Sequence, residues 1–182
     1  TAIGIVAGGT LASDGDGTSE AATVNNDGVF TLTGTETIGA LQGGGTMNLT
    51  GATLSTGVTN TSTTFSGNAS GTGGLIKQGT GAFTLSGTNT YTGDTEVING
   101  TLVLSGGAAI ADGNAILVNA GGQLTVGANE TIATIAGAGN VLLNTASLTL
   151  GNASGTLTGA VSGTGTVIIA AGTETFGGAL TN

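Results

Sequence analysis

Carboxylates are the side chains of this sequence best suited to bind a cation. The segment Ser13–Glu20 places Asp14, Asp16 and Glu20 within eight residues. Calcium takes about six to eight oxygen ligands, so these three residues form a candidate Ca²⁺ site. The segment has neither the spacing of an EF-hand loop nor the glycine-rich nonapeptide of calcium-binding β-rolls, and Asp-Gly pairs are common in turns. The alternative interpretation is a solvated turn that binds no metal or other cofactor.

A second pair of carboxylates raises the question of catalysis. Asp94 and Glu96 are two residues apart, and such residues point to the same side of a β-strand. Two carboxylates on one side can act as acid and base on a glycosidic bond, provided that a cleft holds the sugar. β-Helical enzymes that cleave polysaccharides use a basic residue, and Lys77 is the sole candidate. We expect Lys77 to neutralise a carboxylate or to lie along the surface, so the sequence predicts no catalytic residue and no enzyme.

The composition excludes several classes of partner. The chain has 182 residues and a formal net charge of −9, with a single basic residue. Phosphate groups therefore find almost no cation here, which excludes nucleic acid and anionic membrane surfaces. No run of about 20 apolar residues occurs, so no membrane insertion of this segment is expected. Charged residues make up only 6% of the chain, and hydroxyl and amide groups must form most of its surface.

The chain repeats itself at a spacing of 94 residues. Residues 25–57 align with residues 119–151 without a gap, with 12 identities in 33 positions. After a two-residue deletion in the second copy, residues 64–76 align with residues 156–168. The identical pairs include Gly28/Gly122, Glu36/Glu130, Ile38/Ile132, Gly43/Gly137 and Leu49/Leu143. A fixed period of this kind is typical of solenoid proteins.

Short alternating segments recur within each copy. They read VFTL, TMNL, AFTL, TLVL, QLTV and SLTL, and they are separated by glycine and asparagine. Alternation with a period of two indicates short strands between tight turns, and no window has uninterrupted helical spacing. Such strands become stable when one coil stacks on the next. The sequence therefore predicts an all-β fold with almost no helix, a parallel β-helix (β-solenoid) of roughly nine coils at about 4.8 Å per coil.

These patterns predict one β-solenoid domain over residues 1–182. It would consist of a module of about 94 residues over 25–118, a partial module over 119–182, and the end of a preceding module over 1–24. Asparagines such as Asn89 are expected at coil corners, where amide side chains can stack on their equivalents in neighbouring coils.

One segment, residues 73–106, resembles the autotransporter-associated β-strand repeat of Gram-negative autotransporter passengers. The resemblance rests on Leu75, Lys77, Gly79, Gly81, Leu85-Ser86-Gly87, Asn89-Thr90-Tyr91-Thr92-Gly93, Thr95, Val97 and Gly100-Thr101-Leu102. The second copy departs from the pattern after Ile168 and has no equivalent of the Lys. The resemblance implies a right-handed β-helix that is exported and displayed at the bacterial cell surface or outside the cell. It also implies an outer-membrane anchor outside these residues.

Three functions agree with these features. The first is a non-catalytic structural shaft of a secreted or cell-surface autotransporter-like adhesin. The second is a subunit of an extracellular filament that stacks head to tail, and the third is a β-helix that binds or cleaves polysaccharide. The expected partners are a further copy of the chain stacked end to end, or the continuation of a longer polypeptide, and other surface or matrix molecules. Exposed strand edges at the ends of a solenoid favour such contacts.

Overall fold

The fold consists of short strands, as the alternating sequence predicts. The computed structural model describes residues 1–15 and 20–181, which contain no helix. The strands, in chain order, are β1 (Ala2–Ile5), β2 (Thr10–Ser13), β3 (Thr23–Asn26), β4 (Val29–Leu32), β5 (Glu36–Ile38), β6 (Ala40–Gln42), β7 (Thr46–Leu49), β8 (Leu54–Thr56), β9 (Thr63–Phe65), β10 (Asn68–Gly71), β11 (Leu75–Lys77), β12 (Ala82–Leu85), β13 (Thr95–Leu104), β14 (Ala115–Val126), β15 (Glu130–Ile132), β16 (Thr134–Gly137), β17 (Asn140–Leu143), β18 (Ser147–Leu150), β19 (Thr156–Leu157), β20 (Val161–Ser162), β21 (Thr166–Ile169), β22 (Thr175–Phe176) and β23 (Leu180–Thr181).

The strands form three faces, and the chain visits them in a fixed order. The first face contains β1, β3, β6, β9, β12, the second halves of β13 and β14, β17, β20 and β23. The second face contains β2, β4, β7, β10, β15, β18 and β21. The third face contains β5, β8, β11, the first halves of β13 and β14, β16, β19 and β22. The described residues thus make a parallel β-solenoid of about nine coils, which confirms the predicted fold.

The number of residues in a coil varies because the corners differ in length. Thr23 pairs with Ala40, 17 residues later, whereas Gly43 bridges to Phe65, 22 residues later. Longer coils place the extra residues in corner loops. The inward-facing residues of successive coils therefore remain aligned with one another. Most strands then hydrogen-bond to equivalent strands in the coils above and below, which satisfies their backbone groups.

The core is a single stack of inward-facing side chains. Within β4 and β12, alternate residues are buried, as in the pair Phe30 and Leu32. In the second face, Leu11, Phe30 and Met47 occupy the same position in successive coils. Because apolar side chains stack on apolar side chains, each one contacts its neighbours along the axis. The short strands therefore share one continuous hydrophobic core.

Glycine is required at particular corners. Gly43 and Gly137, which match across the 94-residue repeat, both have φ 113°, a conformation that side chains disfavour. A Cβ at either position would also collide with the backbone of the preceding coil, at Asn26 and Val118 respectively. The close stacking of coils therefore accounts for much of the high glycine content.

Residues that match across the repeat lie on different faces of the solenoid. Glu36 belongs to β5 on the third face, whereas Glu130 belongs to β15 on the second. Likewise Leu49 lies in β7 on the second face and Leu143 in β17 on the first. A residue of the first copy and its match in the second are separated by four complete coils and two further faces. Because a full coil has three faces, the match stops one face short of a fifth coil. The second copy is therefore turned by one face relative to the first.

No helix in the described part of the chain has the length and apolar character needed to cross a membrane.

Candidate functional site

The predicted calcium ligands are only partly within the described residues. Asp14 and Glu20 are both exposed, and Asp16 lies outside the described residues. Over residues 1–15 and 20–181, no group of three His, Cys, Asp or Glu side chains comes close enough to hold a metal ion. The Ca²⁺ site at Asp14, Asp16 and Glu20 therefore stays a prediction.

The carboxylates of Asp94 and Glu96 lie beside a shallow groove of about 340 Å³. Asp94 is exposed, while Glu96 is half-buried and accepts a 2.6 Å hydrogen bond from the Nδ2 atom of Asn119. The side of the groove near Gly73 and Gly93 is bare backbone. Glu96 is thus tied to the next coil, and a basic side chain does not line this groove.

Lys77 occupies an inward-facing position of the core. Its neighbours in the register are Thr56 in the coil above and Val97 in the coil below, and its side chain is 1% exposed. The prediction that Lys77 neutralises a carboxylate or lies along the surface is therefore wrong. The inward strand position overrides the preference of lysine for solvent, because the corner behind β11 provides acceptors for its ammonium group.

Three backbone carbonyl groups surround the Lys77 ammonium group. Nζ donates hydrogen bonds to the carbonyl oxygens of Gln78 at 2.5 Å, Gly79 at 2.9 Å and Asn99 at 3.1 Å. An ammonium group has three donors, so all of them are used. Burial lowers the pKa of Lys77 from 10.5 to about 8. The side chain joins the corner after β11 to the corner in the next coil, and it has no free donor for a substrate.

The second face has no strand over residues 89–92 and 108–110, and we call these two segments the bridged strip. Asn89 is 2% exposed and lies in the middle of it. Its Oδ1 accepts a 2.7 Å hydrogen bond from the Ala69 N–H, and its Nδ2 donates a 2.8 Å bond to the Ala109 carbonyl oxygen. One side chain thus connects the coil above with the coil below, in place of a strand ladder.

Glu130 performs a similar task on the other side of the bridged strip. Its two carboxylate oxygens accept hydrogen bonds from the N–H groups of Ala109 at 3.0 Å and Ile110 at 3.3 Å. Burial raises the pKa of Glu130 to about 7 although these two N–H groups oppose the rise, and nearby Asp112 adds to it. The carboxylate therefore acts as the partner of backbone groups that a strand would otherwise satisfy.

Tyr91 completes the buried polar groups of the bridged strip. Its hydroxyl lies 2.8 Å from the Thr95 hydroxyl, and the ring is fully buried. Burial raises the pKa of the Tyr91 phenol, the Thr95 hydrogen bond opposes this rise, and the charge of Glu130 adds to it. Tyr91 is inaccessible, so it offers no surface on which a sugar ring could stack.

Only weak sequence signals point to these residues. Asn89 was expected to stack on other asparagines, but it binds backbone groups on both sides instead. Glu130 stood out only as an identity with Glu36, which is also buried and accepts a hydrogen bond from the Ser13 hydroxyl. A buried glutamate shared by both copies, in a chain with so few charges, is the signal that indicates a structural carboxylate.

Comparison with known proteins agrees with this geometry. Residues 75–113 match the family model of the passenger-associated-transport-repeat. The chain is also similar to the adhesin BmaC autotransporter of Brucella suis biovar 1 (strain 1330), with 36% identity over 159 residues. This match covers 80% of the chain, which spans 4% of the length of that curated relative. No solved structure matches the chain significantly.

The chain therefore contains autotransporter passenger repeats, and the predicted resemblance is confirmed. The segment that matches the family model contains Lys77, Asn89 and Tyr91. Two of the three are the side chains whose hydrogen bonds connect successive coils. The residues characteristic of the repeat thus include those that hold the solenoid together where strands are absent or corners meet.

Proposed function

We propose that this chain is a non-catalytic structural shaft of an adhesin exported to the bacterial surface. The observation that carries this proposal is the use of the buried polar side chains. Asn89 and Glu130 use their hydrogen bonds on the backbone of neighbouring coils, and Lys77 binds two carbonyl groups of its own corner and one of the next coil. Side chains used in this way stabilise stacking, and they are withdrawn from contact with a ligand.

The likeness to passenger repeats supports the location. The relative it matches is described as an adhesin autotransporter, and residues 75–113 match a passenger repeat. Display at the cell surface or in the extracellular space agrees with a chain that has no Cys and a surface of hydroxyl and amide groups. A solenoid of about nine coils would project what it carries by about 43 Å, since parallel strands stack about 4.8 Å apart.

The exposed ends of the core support contact with further coils. At one end Val6 is 73% exposed, and at the other Leu180 is 63% and Ile169 is 42% exposed. Apolar residues at an open strand edge favour pairing with another strand. Either the same polypeptide or a second copy of the chain can supply that coil, and a second copy would produce the head-to-tail filament.

The proposed shaft is tested by pulling single molecules between Thr1 and Asn182. A load-bearing solenoid should resist and then lengthen in discrete steps of roughly 65 Å, because about 20 residues are released per coil. Extension at negligible force, without steps, would contradict the shaft. In the Asn89→Ala variant the first step should occur at lower force, whereas Asn68→Ala, which removes one exposed hydrogen bond, should behave as the native chain.

An enzymatic role is tested separately. The chain is incubated with neutral and acidic polysaccharides, and the release of new reducing ends is followed. No release is expected. Release that is abolished by Asp94→Asn or Glu96→Gln would overturn the non-catalytic assignment, because those are the paired carboxylates beside a groove.

A further inference from the structure

An open groove of about 660 Å³ crosses the first face of the solenoid between β6 and β9. Its walls carry amide, hydroxyl and carboxylate side chains. They include Asn25, Asp27, Gln42, Ser62, Thr64 and Thr84. No aromatic and no basic side chain lines this groove.

The groove lies where the ladder of the first face is thinnest. β6 and β9 are joined by one bridge between Gly43 and Phe65, whereas other neighbouring strands of this face share two or more paired residues. The chain enters β9 through a turn in which Asn60 has φ 61°, the only positive φ of a non-glycine residue in the described part. Such a conformation costs on the order of 1 kcal/mol and occurs preferentially at functional sites.

The connection that forms one wall is two residues shorter in the second copy of the repeat. Six residues, 58–63, separate the two aligned blocks in the first copy, whereas four residues, 152–155, do so in the second. The longer connection of the first copy contains both Asn60, with its positive φ, and Ser62, which lines the groove. Insertions within a repeat often build the binding surface of a solenoid.

Two polar side chains of the groove are also absent from the second copy, although Asn25 is matched by Asn119. Asp27 matches Gly121, and Gln42 matches Ala136. The matching residues of the second copy, Gly121 and Ala136, lie in strands β14 and β16, so strands form at these positions without either side chain. Residues that the scaffold does not require are free to serve recognition.

Two hydrogen bonds hold these side chains in place. The Gln42 Nε2 atom donates to the Oδ1 atom of Asn25, and the Gly44 N–H donates to the Asp27 Oδ1 atom at 3.2 Å. Within the described residues, the Gln42 Oε1 and Asn25 Nδ2 atoms make no other hydrogen bond. An acceptor and a donor on adjacent rungs therefore stay available, and the hydrogen bond between the two amides favours one relative orientation of them.

We propose that this groove is a binding site for a neutral oligosaccharide. Sugar hydroxyl groups donate and accept hydrogen bonds, so they match amides and hydroxyls that do the same. Asp27 and the net charge of −9 disfavour anionic glycans, and the polar walls disfavour apolar ligands. The shaft would thus carry a recognition surface of its own, independent of whether it also supports other elements.

The affinity should be weak, because stacking on aromatic rings is missing. The contact then consists of a few hydrogen bonds, each with a net contribution of about 1 kcal/mol. A dissociation constant of about 1 mM is expected, which corresponds to about 4 kcal/mol. Binding of this strength becomes useful when many copies are displayed on one surface.

The test uses the ¹⁵N-labelled 17.0 kDa chain in nuclear magnetic resonance titrations. The probes are cellotetraose, chitotetraose and mannotetraose, with tetragalacturonate as an anionic probe and a flexible Gly-Ser octapeptide as a peptide probe. At least one neutral tetrasaccharide should shift the side-chain amide signals of Asn25 and Gln42 and the backbone signals of β9. The anionic and peptide probes should leave them unchanged.

A pair of matched variants identifies the groove. Gln42→Ala copies the residue found at the matching position of the second copy, and it should weaken binding about fivefold by removing one hydrogen bond. Gln123→Ala changes a glutamine on the same face, in β14, and should leave binding unchanged. The proposal is overturned if no neutral probe shifts these signals, if the anionic or peptide probe binds as well, or if the two variants bind alike. That outcome would leave the pulling experiment, and so the shaft, unaffected.

Discussion

The third face and the bridged strip achieve the same coil-to-coil contact by different means. On the third face, β8, β11 and β13 pair in parallel through consecutive residues, such as Leu54 with Leu75 and Leu75 with Thr95. In the bridged strip, strands are absent. A few irregular backbone hydrogen bonds cross it, and the side chains of Asn89 and Glu130 satisfy further backbone groups. Both regions belong to the same solenoid and share its core.

The difference concerns how the stability is distributed. A ladder spreads its hydrogen bonds over many backbone groups, so no single side chain is essential to it. Irregular backbone bonds from the N–H groups of Asn89, Thr90 and Thr92 also cross the bridged strip, and two side chains that are 2% and 3% exposed satisfy its other buried backbone groups. Buried polar groups that lose their partner are costly, so the strip should respond far more strongly to single substitutions than the ladder does.

The largest effect is expected for Asn89→Ala. The change leaves the Ala69 N–H and the Ala109 carbonyl without their buried partners. At about 1–3 kcal/mol for each unsatisfied group, the free energy of unfolding should fall by about 2–5 kcal/mol. Urea denaturation followed by circular dichroism measures it. The control, Asn68→Ala, should cost under about 1 kcal/mol because its bond to the Thr88 N–H is exposed; equal losses for both variants would contradict the bridging role.

The sequence predicted the ladder much better than the bridges, and the reason is physical. Alternation as in Phe30 and Leu32 reports directly which side of a strand is buried, and stacking then follows from the need to pair short strands. The role of Asn89 depends on backbone groups 20 residues away on either side, so nothing local indicates it. The inward position of Lys77 was hidden likewise, because its acceptors are corner carbonyls whose direction only the fold determines.

The candidate binding groove shows the same limit. The two-residue difference between the copies is visible in the sequence, and so are the changes at Asp27 and Gln42. The sequence does not show that the longer connection, Asp27 and Gln42 lie at one groove. The reason is that the second copy is turned by one face and coil lengths vary. A repeat alignment shows which residues the scaffold does not share, whereas only the coil register shows which of them are neighbours.

The second largest effect is expected for Glu130→Gln at neutral pH. An amide provides one acceptor oxygen where the carboxylate provides two, so one of the N–H groups of Ala109 and Ile110 loses its partner. The lost acceptor should lower the free energy of unfolding by about 1–3 kcal/mol, and removal of the buried charge should offset part of that fall. The same urea measurement at pH 8 tests this. An unchanged stability would show that the carboxylate is dispensable to the strip.

Glu130 should also make the free energy of unfolding depend on pH. Its pKa is about 7 in the folded chain and 4.5 when unperturbed, so the folded state holds its proton more tightly. The contribution of Glu130 to stability is therefore full below pH 4.5 and is lost as the pH rises through 7. In Glu130→Gln this part of the pH dependence should disappear. A slope that survives in Glu130→Gln would assign the pH dependence to another group.

A smaller effect is expected for Lys77→Met, which keeps the volume but removes the ammonium group. Three corner carbonyls lose their donor, but the cost of burying a charge is also removed, so the net change at pH 7 should be about 1 kcal/mol or less. The pKa of Lys77 is about 8 in the folded chain, below its unperturbed 10.5. Native stability should therefore rise as the pH increases from 8 towards 10, and Lys77→Met should lack this rise. A parallel rise in both proteins would show that Lys77 does not cause it.

The smallest effects separate the two regions most cleanly. Thr37→Ala changes an outward side chain of β5, and Thr90→Ala changes an exposed side chain within the bridged strip. The Thr90 N–H donates to the Ala69 carbonyl, and this backbone bond survives the substitution. Both variants should therefore stay within about 0.5 kcal/mol of the native chain. If Thr90→Ala were much more costly than Thr37→Ala in urea denaturation, the weakness of the strip would lie in its whole irregular backbone. Equal, small effects would locate that weakness in the side chains of Asn89 and Glu130.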